Sequence, residues 1–247
     1  MYRVIIWGTS IEYSNCLRRI KTSVESGELE VVGVTSRDTW YRSLDGFPFL
    51  PKSELLHVPH DYVLVASKRH FADIQQEYDA LGGKAHKVLS LQALETAGIT
   101  FPQYVNLYEA RISLIANNCW GGVTYHAMHL PFLSPFINMF VQDSDYIALL
   151  QDLKGHLAKP LQYVGESHDL HSGELYPIFS LGKGGVQLHM NHYPDHEQAV
   201  AKWNERRQRI NFDNLFVMMY TENLSIVEQF DALPYAKKVC FTPFPGV

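Results

Sequence analysis

Residues 1–35, MYRVIIWGTSIEYSNCLRRIKTSVESGELEVVGVT, decide the fold class. Tyr2–Trp7 is a short apolar run, Gly8-Thr9-Ser10 a turn, residues 11–26 a helix, and Leu29–Thr35 a second apolar run. Strand, helix, strand is the unit of a parallel sheet, and near-continuous apolar strands fit burial on both faces. The alternation continues with DYVLVA at 61–66, a helix at 71–81 and HKVL at 86–89. An α/β fold is expected, with a Rossmann-like parallel-sheet domain over residues 1–100.

Residues 96–106, with Gly98 and Pro102 and little periodicity, read as a junction. A second α/β domain with a mixed sheet is expected over 101–247. Its predicted strands are an apolar run from Ile112, then 136–141, 176–181, 186–192, 214–221 and 238–242. Its predicted helices cover 123–129, a segment capped by Asp143 or Ser144 and running to 157, and 196–210 capped by Asp195. A last helix starts at a capping box of Ser225 and Glu228.

The chain has 247 residues, 46% of them hydrophobic and 19% charged, a globular composition. Its net charge of −5 argues against a non-specific nucleic-acid binder, which needs a basic stripe. Cys16, Cys119 and Cys240 show neither paired nor CxxC spacing, so neither a disulfide framework nor a structural zinc site is expected. Reduced thiols, no signal peptide and no bilayer-length apolar run lead to the expectation of a cytoplasmic protein without a transmembrane segment.

The strongest site signal is RISLIANNCWGG, Arg111 to Gly122. A buried strand that ends in amides, a thiol, an indole and paired glycines places polar groups at a carboxyl end, where open α/β sheets bind ligands. Asn117, Asn118, Trp120, Gly121 and Gly122 are the candidate ligand residues. Cys119, at the start of a helix, is weighed as a nucleophile and placed behind a core role. The turn with Gly8 and Ser10 occupies a phosphate-loop position, yet Ser10 and Tyr13 stand where the dinucleotide fingerprint has glycines. Asp38 follows the second strand, within reach of a ribose. No cofactor is assigned. No metal site is expected, since His189, His192 and His196, with His168 and His171 upstream, lack ligand spacing; Asp143-Ser144-Asp145 reads first as a helix cap.

The segment WNERRQRINFDN, Trp203 to Asn214, is the second signal. His196, Val200, Trp203, Arg207 and Ile210 form one helical stripe, so Arg206 or Arg207 is expected to be buried and paired with a carboxylate such as Asp213 or with a bound anion.

RISLIANNCWGG, PFINMFV, DYIALL, YPI and KWNERRQRINFDNLF, in that order, resemble a bacterial family of domains of unknown function described as exopolysaccharide biosynthesis proteins. The resemblance covers roughly residues 108–245. It implies a pathway, surface-polysaccharide assembly, and no reaction. The expected function is a transferase acting on a nucleotide-activated or phosphorylated sugar as its small-molecule partner. Arg206 or Arg209 would bind the donor phosphate, Asn117, Asn118 and Asn214 would bind sugar hydroxyls, and Asn211 is a further ligand-binding candidate. Trp120 would stack on the ring and Asp213 would serve as base. The alternatives are a non-catalytic sugar- or nucleotide-binding module and an NAD(P)-dependent sugar-nucleotide oxidoreductase.

Overall fold

Strand β1, Tyr2–Trp7, feeds through Gly8 into helix α1, Ile11–Glu25, and back into β2, Leu29–Thr35, in the computed structural model, which describes residues 1–37, 42–169 and 172–245. A hairpin of β3, Ser43–Leu44, and β4, Phe47–Pro48, turns at Asp45-Gly46, both at positive φ. There follow β5, Tyr62–Val65, α2, Phe71–Ala80, β6, Val88–Ser90, and α3, Phe101–Ala110. All four long strands pair in parallel in the order β2-β1-β5-β6. The strands are buried because α1 covers one face while Ile74 and Tyr78 of α2 meet Ile5, Trp7, Val63 and Val65 on the other. The chain divides into two units, Met1–Glu109 and Ala110–Val247.

The second unit opens with β7, Ser113–Ala116, and α4, Trp120–Ala127. Next come α5, Asp143–Gln151, and α6, Leu153–Ala158, which the Asp152 side chain caps by accepting from the Gly155 N–H at 3.0 Å. The single helix expected over 143–157 is therefore two. Then follow β8, Leu161–His168, β9, Leu175–Leu181, β10, Gln187–His189, and α7, His196–Arg207. The chain closes with β11, Leu215–Tyr220, α8, Leu224–Asp231, and β12, Lys238–Phe241.

The strands of this unit form two sheets where one mixed sheet was expected. One is parallel, in the order β12-β11-β7; the other is antiparallel, in the order β10-β9-β8. One core joins them: Phe179, Leu181 and Leu188 of the antiparallel sheet pack with Val217 and Met219 of the parallel one, around Tyr146 and Trp203. The strand expected at 136–141 reduces to one bridge, Phe140 to His189, because the left-handed Asn138 (φ 59°) interrupts it. Asp195 caps α7 as expected, accepting from the Gln198 N–H at 2.8 Å. Asn223, rather than Ser225, caps α8. Among the described residues no helix is long and apolar enough to cross a membrane.

Candidate functional site

Side-chain alternation along β7 places its two neighbouring helices. Leu114 packs with Tyr125 of α4, whereas Ile115 joins Val217, Met219, Ile226 and Phe230 on the α8 side. The helices that follow the paired strands β7 and β11 thus leave on opposite faces of the parallel sheet. Such an arrangement opens a crevice at the carboxyl ends of the strands, the usual ligand position in open α/β sheets.

A recess of about 170 Å³ lies there, lined by Asn117, Asn118, Trp120, Met218, Met219, Tyr220 and Phe241. It is smaller than the roughly 300–1,000 Å³ of drug-sized sites and suits a single ring. Trp120 is 44% exposed, with its ring centre 5.7 Å from that of Phe241. Asn118 Oδ1 accepts from the Trp120 N–H at 2.9 Å, which turns the chain into α4. The Tyr220 hydroxyl donates to Glu222 Oε1 at 2.7 Å, a bond that raises the phenol's pKa.

Asn117 behaves differently from the other amide. It is buried, its Nδ2 donates to the Tyr220 carbonyl at 2.9 Å, and its Oδ1 accepts from the Tyr220 N–H at 3.0 Å. The backbone ladder between the strands ends at Ala116 and Met218, so this side chain adds one more rung. Gly121 and Gly122 allow close packing rather than ligand approach: a Cβ would stand 3.2 Å from Ala116 Cβ and 3.2 Å from Ile137 Cγ2 respectively. Cys119 Sγ faces the Met139 carbonyl at 3.8 Å, and burial pushes its thiol up, the reverse of an activated nucleophile.

The remaining predicted residues lie at the other end of β11. Asp213 is exposed, and with Asn214 and Lys237 it lines a separate shallow groove. Asn214 Nδ2 donates to the Ala110 carbonyl at 2.7 Å and Asn211 Nδ2 to the Arg111 carbonyl at 3.1 Å, tying this turn to the chain before β7. A six-residue strand separates them from Tyr220, roughly 20 Å at about 3.3 Å per residue. The structure therefore does not bring Asp213 to a sugar held on Trp120. Sequence order carried this signal: residues that precede a parallel strand and residues that follow its neighbour stand at opposite ends.

The arginines also depart from expectation. α7 ends at Arg207, and Ala199 and Trp203 are its buried residues, so the guanidinium groups flank the buried stripe. Arg206 is half-buried, donates to the Tyr193 hydroxyl at 2.8 Å and lies 5.4 Å over the Phe132 ring. Arg207 donates to the Leu157 carbonyl at 3.2 Å. Arg209 pairs with Glu205 one turn back, exposed to solvent and therefore weakly stabilising. Neither Arg206 nor Arg207 has a carboxylate partner among the described residues.

In the first unit, Gly8 needs its glycine: φ is +114°, and a Cβ would meet the Ala66 carbonyl oxygen at 3.2 Å. Ser10 Oγ lies 2.9 Å from the Ala66 carbonyl and 2.6 Å from Glu12 Oε2, while Glu12 Oε1 accepts from the Lys68 N–H at 3.2 Å. The Ser10 bond, opposed by partial burial, holds the Glu12 carboxyl below its ordinary range. The protein's own carboxylate thus sits in the first turn of α1, where a phosphate would seek N–H groups. Asp38 and His171 lie outside the described residues.

The other polar candidates are dispersed. His189 is buried and stacked on Phe140 at 4.4 Å, and burial lowers its pKa. His196 pairs with Glu166 at 3.4 Å, and His192 is exposed beside Asn191. Asp143 accepts from the Thr221 hydroxyl, while Asp145 accepts from the Gln187 N–H at 2.8 Å, so the two carboxylates serve different elements. Tyr220 and Phe241, which sequence reasoning missed, carry a positional signal: each is an aromatic residue closing a strand of the parallel sheet, Tyr220 on β11 beside β7 and Phe241 on β12 beside β11.

Residues 1–89 match a family model described as C2185-like, N-terminal. An uncharacterized protein of Haemophilus influenzae is 34% identical over 141 residues, 55% of this chain and 64% of that relative, so the match spans less than two thirds of the relative's length. A D-galactose-1-dehydrogenase from Rhizobium etli aligns over 98% of this chain and 97% of its own at 11% identity, with a TM-score of 0.26 that carries no argument. Residues 90–245 match the family model described as Domain of unknown function (DUF1919), more than half of the chain, and the chain belongs to that family.

Proposed function

We propose that the second unit binds a glycosyl group of a phosphorylated or nucleotide-activated sugar, in the service of surface-polysaccharide assembly in the cytoplasm. The observation that carries the reading is the half-exposed Trp120 beside Phe241 in a ring-sized recess at the carboxyl end of the parallel sheet. A flat indole offers apolar area to the C–H face of a pyranose, and the Asn118 amide stands by for its hydroxyls. The surface-polysaccharide assignment rests on the resemblance carried by RISLIANNCWGG and KWNERRQRINFDNLF. Rossmann-like folding of the first unit agrees with its four parallel strands, and the closed turn at Ser10 and Glu12 favours a structural role for that unit over NAD(P) chemistry.

A transferase remains the second reading, favoured by one feature: the Glu222 carboxylate accepts from the hydroxyl of Tyr220, a residue that lines the recess, and a carboxylate is the usual base for a sugar hydroxyl. It takes the place assigned to Asp213. The test is a fluorescence and thermal-shift titration with glucose 1-phosphate, UDP-glucose and UDP-N-acetylglucosamine, on the wild type and on Trp120→Ala. Saturable binding that the substitution removes supports the reading. Absence of binding at millimolar ligand, or binding unchanged in Trp120→Ala, overturns it. Release of UDP as the glycosyl group passes to an added sugar hydroxyl or to water, by the wild type and not by Glu222→Gln, separates the transferase from the binding module.

A further inference from the structure

Helix α1 presents Asn15, Arg18, Arg19 and Thr22 at offsets of three, four and seven, one stripe of a helix. The turn at residues 95–98 faces that stripe, and the groove between them holds about 620 Å³, the size of an ordinary small-molecule site. Three features of its walls are unusual for plain surface. Arg18 has no carboxylate partner among the described residues. Arg19 gives its Nε–H to the Leu94 carbonyl at 2.7 Å, which anchors the guanidinium against the turn and leaves its terminal nitrogens for another acceptor. Thr96 is only 6% exposed, lines the groove, and its hydroxyl has no hydrogen-bond partner among the described residues. A buried hydroxyl left unpaired is costly, and a donor in a wall shared with two guanidinium groups matches an oxyanion.

We propose that this groove binds a small polar metabolite through an oxyanion, a phosphate or a carboxylate. Arg18 and Arg19 grip the anion, and Thr96 donates to it from the floor. Glu95 and Asn15, on the facing walls, accept from hydroxyl or amino groups on the rest of the molecule. Planar guanidinium forks favour two-oxygen groups of this kind over halides. The site belongs to the first unit and does not depend on the Trp120 recess.

The test uses the full chain, labelled with nitrogen-15, titrated with inorganic pyrophosphate in one arm and citrate in the other, at ionic strength held constant with sodium chloride. The expected result is a saturable shift of the Arg19 Nε–H and of the Thr96 and Ala97 amides in at least one arm. The tighter arm identifies the anion as phosphate or carboxylate. Arg18→Met, at an exposed position, should weaken that binding about tenfold or more. Thr96→Val, which keeps the shape and removes the donor, should weaken it several-fold. No saturable shift in either arm, equal shifts from chloride alone, or wild-type affinity in both variants would overturn the proposal.

Discussion

Asn117→Ala separates a ligand contact from a structural clasp. The side chain makes two hydrogen bonds to Tyr220, at 2.9 and 3.0 Å, and is itself 6% exposed. Each bond contributes about 1 kcal/mol net, and the substitution also strands one N–H and one C=O where the β7 and β11 ladder ends. Tyr220 is partly open to water, which softens that penalty, so the expected loss is about 2–3 kcal/mol. For a chain of this size that lowers Tm by roughly 5–10 °C. Urea unfolding followed by circular dichroism measures the loss, and hydrogen exchange at the Tyr220 amide locates it. Asn118→Ala, which removes one bond to the Trp120 N–H, should cost under about 1 kcal/mol. A stability change below about 0.5 kcal/mol for Asn117→Ala, with sugar binding abolished, would refute the clasp and restore Asn117 as a ligand residue.

Gly8→Ala forces a side chain into φ +114° against the Ala66 carbonyl and should destabilise the first unit by about 1–3 kcal/mol in urea. NAD and NADP should show no micromolar binding by calorimetry, because Glu12 and Ser10 already satisfy each other at the turn; a micromolar constant would contradict this. His189 has a pKa lowered by burial, so the unfolded chain takes up its proton first. Its share of stability is full above pH ~6.5 and falls as pH drops from there through the depressed folded value, a decline that His189→Phe should flatten in pH-dependent unfolding. Cys119, with its thiol pushed up, should react with iodoacetamide at neutral pH more slowly than a free thiol, and Cys119→Ala should bind sugar as the wild type does.

The parts legible from sequence are those where local pattern and tertiary burial agree. Residues 1–35 show strands and helix at nearly their observed limits because both strands are buried on two faces and the turn needs Gly8. Asp195 was legible as a cap because its side chain bonds only three residues ahead. Strand β8 was not, since residues 162–164 are all exposed and leave no apolar alternation to read. Helix α3 hid behind Pro102, which reads as a breaker but stands in the first turn, where its missing N–H costs nothing. At the site, the motif 117–122 was recognised as a carboxyl-end turn, yet its inner division was invisible: only the pairing of β7 with β11 shows that Asn117 is consumed by Tyr220 while Asn118 and Trp120 remain available. The same pairing sends Asp213 and Asn214 to the far end, a placement that chain order implies once β7 and β11 are known to pair in parallel.

The most direct measurement follows the Trp120 indole N–H in nitrogen-15 spectra while UDP-glucose, UDP-N-acetylglucosamine or glucose 1-phosphate is added. The account predicts saturable shifts at Trp120, Asn118 and Tyr220, with the resonances of Asp213, Asn214 and Lys237 unmoved. Shifts confined to Asp213, Asn214 and Lys237, with Trp120 silent, would place the ligand at the amino end of β11 and contradict the site described above.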